Sequence, residues 1–291
     1  MEKFTSKIRI HYDGDITDNH QIPMRVLGQT FLYIQKAVDR AYLDLKYKGV
    51  WKYARMSKDD YDVTKYLVQA PKEGGYIVNF FSRNKKSPEI ADRVSNAIDQ
   101  AVNQADEYKD SLNNQVEDRK RQVRNKIIRP RQFQDVVDQP TQEIKRKYGD
   151  RSIAKEIDQV LSIIRAEYSG DSSLELSLTG SSTQTFNFDK PKSERFHKAV
   201  AGRQVGPPVI YRGKMLALDK RNRTGKFENT ENKRVSVIYF NNENDFLKAH
   251  PYLGNEDEMK FIGAPLVEFG ALEPNSGDIY FLYLVNECDV G

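Results

Sequence analysis

The chain has 291 residues, of which 38% are hydrophobic and 30% charged, with a net charge of +4 and a mean hydropathy of -0.73. Its 16 tyrosines and 14 phenylalanines supply enough apolar surface for packed cores, which excludes wholesale disorder, and the length suits two ordinary domains. The single cysteine, Cys288, excludes an intramolecular disulfide and a CxxC metal site, and no run reaches the roughly 20 apolar residues that a membrane-spanning helix needs.

A reducing, cytoplasmic location is expected on that cysteine usage, and residues 1–6 lack the continuous apolar stretch of a signal peptide. The modest net charge conceals a strong asymmetry. Arg119, Lys120, Arg121, Arg124, Lys126, Arg129 and Arg131 follow one another with no acid between them. Residues 190–234 carry thirteen bases against four acids, whereas 243–278 carry eight acids against two bases. Such segregation points to surfaces of opposite sign, which would steer anionic partners or pair subunits.

Residues 4–12 alternate with the period of a half-buried strand, and Asp13-Gly14-Asp15 turns the chain. After Pro23, Val26, Leu27, Thr30, Phe31, Ile34, Ala37, Val38, Ala41 and Leu45 recur at helical spacing until Gly49. Two β-rich runs, 66–70 and 76–81, flank the Pro71–Gly75 turn, so the opening order is β-α-β-β. From Ser87-Pro88 a helical pattern runs over 88–128, with an apolar stripe that thins after Ala105 and a candidate break at 111–114. A shorter helix is expected after Pro140 and a stronger one over 152–168.

Strand patterns then take over, beginning with a hairpin at 173–178 and 183–188 and a helical turn at 193–201. Residues 202–206 look like a linker. Strands are expected at 209–218, 225–230 and 234–240, a helix at 244–250, and strands at 259–269 and 279–285. Three strands, a helix and two strands is the element order of the OB-fold. The expected class is therefore α+β, with an N-terminal β-α-β-β module and helical extension in 1–168 and a small antiparallel, OB-like barrel in 169–291.

The barrel holds the most specific chemical feature, the connection Asp219–Lys226 between its first two strands. Lys220, Arg221, Arg223 and Lys226 can neutralise phosphates, and Tyr211, Phe227, Tyr239 and Phe240 can offer rings for base stacking. Against this, the 270–277 loop contains Glu273 and no base. A second basic feature is the helix end bearing Arg119, Lys120, Arg121, Arg124 and Lys126, where 100° steps spread the charges around the axis. The competing readings are core aromatics and a solvated helix terminus.

Catalytic signatures are missing: no Walker loop, GxGxxG, HExxH, GxSxG or kinase set occurs. His11, His20, His197 and His250 do not pair at metal-ligand spacing, the Asp13–His20 run lacks the glycine and glutamate of a calcium loop, and Asp59, Asp60 and Asp62 resemble nuclease acids in composition alone. No metal or cofactor is expected, and Cys288 makes a poor nucleophile at a chain end. The expectation is a non-enzymatic binding or adaptor protein in a macromolecular assembly. Its partner would be another protein or a second copy of the chain, with nucleic acid as a further partner and no membrane. Two alternatives stand beside it: a nuclease or nucleotide-processing enzyme with a non-local acidic site, and an oligomeric host–phage interaction factor that pairs through 88–128.

Overall fold

The computed structural model describes residues 4–17, 21–49, 54–72, 76–105, 110–254, 257–273 and 277–285. In chain order the elements begin with β1 (Ser6–Asp13), α1 (Met24–Lys46), α2 (Asp60–Val63), β2 (Leu67–Lys72), β3 (Tyr76–Ser82) and α3 (Ser87–Ala105). Next come α4 (Leu112–Arg124), β4 (Arg131–Gln132), α5 (Phe133–Asp138) and α6 (Gln142–Arg165), then β5 (Ser173–Thr179), β6 (Thr183–Phe188), α7 (Lys190–Ala201) and β7 (Arg203–Val205). The chain closes with β8 (Val209–Asp219), β9 (Thr224–Asn229), β10 (Val235–Tyr239), α8 (Glu243–Ala249), β11 (Met259–Glu268) and β12 (Ile279–Leu284). No helix among the described residues is long and apolar enough to cross a membrane.

Two compact units emerge, and both are discontinuous: 1–107 with 148–202, and 108–147 with 203–291. Residues 169–202 group with the first unit. The cause is a long-range pairing, since β5 runs antiparallel to β1 from Lys7↔Thr179 to Asp13↔Ser173 and carries β6 and α7 with it into the first unit.

The first unit is an antiparallel sheet in the order β2-β3-β1-β5-β6. Its buried face is the in-pointing parity of the strands: Ile8, Ile10 and Tyr12 on β1, Val78 and Phe80 on β3, and Leu174, Leu176 and Leu178 on β5. Helix α3 packs on β1 and β5 and also meets α1 and α7. It buries Ile90, Ala91, Val94, Ala97, Ile98 and Ala101, all on one stripe.

The helix expected over 88–128 is two helices that belong to different units. Ser111 starts the second: its Oγ accepts the Asn114 N–H at 3.3 Å, which fixes a new N-terminus where the apolar stripe has run out. The opposite occurs further on, where the helices expected after Pro140 and over 152–168 fuse into the 24-residue α6. Gly149 is tolerated inside it because a side chain there would collide with Asp44, the nearest oxygen lying 2.3 Å from an added Cβ. Residues 202–206 are not merely a linker, since β7 pairs with β11.

The second unit contains a closed five-stranded barrel in the order β8-β9-β10-β12-β11, sealed by the β11–β8 pairing from Met259↔Gly213 to Gly263↔Val209. One contact departs from the all-antiparallel expectation: β10 and β12 run parallel, with Tyr239 opposite Tyr280. Short β4 and β7 extend the sheet beside β8 and β11. Phe227, Phe261 and Phe281 fill the interior with no more than 0% exposure each, and α8 contributes Phe246, whose ring meets Phe240 edge-on at 5.5 Å. Helix α4 lies on the outer side, where Val116 and Val123 join Ile210, Ile262, Ala264, Leu282 and Tyr283 in a second apolar cluster.

Candidate functional site

The β8–β9 connection is a short, internally braced turn. Asp219 Oδ1 accepts the backbone N–H groups of Arg221 and Asn222 at 2.9 and 3.2 Å, and its Oδ2 accepts the Asn222 side-chain amide at 2.7 Å. That amide and the two N–H groups hold the Asp219 carboxyl below the usual carboxylate range. Arg223 adopts a left-handed φ of 49°, and its carbonyl accepts the Phe240 N–H at 3.0 Å. Lys220, Arg221 and Arg223 are exposed on this turn, and Lys226 is exposed just beyond it on β9. Among the described residues, Lys220 alone of the four faces a carboxylate, Glu243 at 3.9 Å, and both side chains are largely in water.

The aromatic half of the expectation needs correction. Tyr211 is 3% exposed and stacks on Phe261 with centroids 5.5 Å apart; Phe227 is fully buried and meets the same ring edge-on at 5.1 Å. Phe240 is equally internal. These three rings are barrel core and present no face to a base; burial also raises the Tyr211 hydroxyl above its ordinary pKa. Tyr239 differs. It lies half-buried on the outer parity of β10, tilted against Tyr280 at 5.4 Å, with its hydroxyl 3.4 Å from Asp278.

The basic run on α4 divides in the same way. Lys120 is buried and bonded to Asp245 at 2.5 Å, so it belongs to the α4–α8 contact. Arg121 pairs with Asp118 one turn earlier, and the Arg124 guanidinium lies 5.7 Å over the Tyr283 ring. Lys126 is exposed just beyond the helix, with a left-handed φ of 55°. Arg119 is half-buried; its guanidinium donates to Gln122 at 2.7 Å and to the Val205 carbonyl at 3.2 Å, while its Nε is buried with no hydrogen-bond partner. Desolvation lowers its pKa.

Arg119 also lines a cleft of about 460 Å³ within the second unit, together with Arg129, Arg131 and Lys147. Its one acid is Glu143, and its apolar lining includes Val136, Ile144, Val205, Pro208, Val209 and Leu272. Sequence reasoning named Arg129 and Arg131 as part of a charge run without assigning them to a site, and it missed Lys147. The usable signal was Arg129-Pro130-Arg131, where a proline stops any helix from dispersing the two cations around an axis.

One of the acids of the nuclease reading, Asp60, has a structural role. Asp60 is buried and bonded to Lys46 and Tyr42, and it accepts the Ser57 N–H, with Lys46 holding its carboxyl well below the usual range. Among the described residues, no group of three or more His, Cys, Asp or Glu is placed to hold a metal ion. Cys288, His20 and residues 73–75 and 274–276 lie outside the described residues. No protein-family model, no curated protein and no solved structure matches the chain.

Proposed function

We propose that the protein is a non-enzymatic binding protein whose barrel is OB-like and contacts single-stranded nucleic acid, serving as an adaptor within a macromolecular assembly. The strand order supports the OB-like assignment: numbered along the barrel, the strands run 1-2-3-5-4 and return to 1, with the helix inserted between the third and fourth. In barrels of this kind the connection between the first two strands flanks the ligand face.

The observation that carries the proposal is the braced Asp219–Thr224 turn. Among the described residues, Arg221, Arg223 and Lys226 have no carboxylate partner, so their charges stay available for phosphate oxygens. Of the four rings named from the sequence, Tyr239 is the one that is not buried, and it lies on the outer parity where it can stack. Charge reversal by Arg221→Glu with Arg223→Glu is expected to weaken binding of single-stranded DNA and RNA by about tenfold or more, measured by fluorescence anisotropy at low salt. Binding that survives the double substitution unchanged removes this surface from nucleic-acid contact.

A further inference from the structure

We propose that the cleft formed by Arg119, Arg129, Arg131 and Lys147 binds a small organic phosphate: a phosphomonoester head on an apolar or aromatic body. The cleft is distinct in its residues from the β8–β9 turn, so the proposal does not depend on nucleic-acid binding there.

Charge comes first. Four cations face one acid, Glu143, and among the described residues neither Arg129 nor Lys147 has a carboxylate partner. The excess suits a dianion better than a monocarboxylate. Three of the four cations are guanidiniums, whose planar forks match phosphate oxygens. Two of them are already fixed. Arg131 donates to the carbonyls of Asp135 and Gln139 at 3.1 and 3.0 Å, and Arg119 is held by Gln122 and Val205. A ligand therefore meets positioned donors and orders few side chains on arrival. Arg119 Nε, buried and unpartnered, is a donor still in want of an acceptor.

The lining accounts for the body of the ligand. Val136, Ile144, Pro208 and Leu272 give the lining apolar surface that offers an inorganic ion little, and about 460 Å³ falls within the usual range for small-molecule sites. Thr141 and Glu143, at the start of the 24-residue α6, bring that helix's positive end to the cleft as a secondary contribution.

The test uses the full chain and isothermal titration with four probes: adenosine monophosphate, 1-naphthyl phosphate, adenosine and inorganic phosphate. At least one of the two organic phosphates is expected to bind, about tenfold or more tightly than inorganic phosphate, with adenosine weaker still. Arg129→Gln with Lys147→Gln should weaken that binding about tenfold or more. Glu143→Gln should tighten it, a response in the opposite direction that loss of folding cannot mimic. The proposal is overturned if neither organic phosphate binds at millimolar concentration, if inorganic phosphate binds as tightly, or if Glu143→Gln leaves the affinity unchanged or weaker.

Discussion

Lys120 Nζ lies 2.5 Å from Asp245 Oδ2, with the two side chains 9% and 8% exposed, so the centre of the most basic run in the sequence is a buried ion pair between α4 and α8. Removing one partner strands the other charge in a poorly solvated place. Lys120→Ala is expected to destabilise the second unit by about 3–5 kcal/mol. Asp245 also accepts from Asn242 at 2.9 Å, so the double change Lys120→Met with Asp245→Leu should recover most, though not all, of that loss. Chemical denaturation decides it; a Lys120→Ala loss below about 0.5 kcal/mol would place the pair in water.

A comparable cluster holds the first unit. Arg93, 3% exposed, meets Asp44 at 2.5 Å and Asp150 at 2.7 Å, tying α1, α3 and α6 together. Gly149 gives this cluster its space. In an exposed helix, glycine to alanine gains about 1 kcal/mol. Here Gly149→Ala should lower the melting temperature instead, because the added methyl displaces Asp44 from Arg93. A rise in melting temperature would show that the helix can move aside.

Stability at acid pH should depend on Asp60. Its carboxyl is held below the unfolded value of about 3.9 by the Lys46 bond and the Ser57 N–H. The depressed folded pKa means that its contribution is complete above the unfolded pKa and is lost as pH falls from about 4 toward the lower folded value. Asp60→Asn should therefore destabilise the protein at neutral pH and flatten the acid limb, as followed by circular dichroism. Parallel acid limbs for the two proteins would contradict the assignment.

Local patterns made the barrel legible. Short β-rich runs, turn residues and the short helix before Pro251 mark β8 to β12 without reference to any other part of the chain. Pairing partners were not legible, because alternation marks a strand without naming its neighbour; Ile10↔Leu176 joins residues from opposite ends of the first unit's sequence. Site residues fell to the same limit. Phe227 lies on the inner parity with Gly225 and Asn229, yet β8 exposes Leu216, so apolar character alone does not tell inside from outside. Lys120 became structural only through Asp245, a partner set 125 residues away.

Tyr239 and Tyr211 should therefore behave oppositely. Tyr239→Ala is expected to weaken single-strand binding by about 1–3 kcal/mol with little change in salt dependence, as loss of one stacked base requires. Tyr211→Phe, altering only a hydroxyl inside the barrel, should leave binding as it was. Anisotropy titrations of the two variants check this, and equal losses would deny a distinct role to the outer ring.

The most direct measurement is the salt dependence of single-stranded nucleic-acid binding for the intact chain and for Arg221→Gln/Arg223→Gln/Lys226→Gln. Each phosphate contact on a single strand contributes about 0.7 to the slope of log affinity against log salt, so neutralising three cations should reduce its magnitude by about 2. A shallower slope of that size is the result expected of a barrel that binds through its β8–β9 turn. Superimposable slopes, or no binding by the intact chain at low salt, would contradict it.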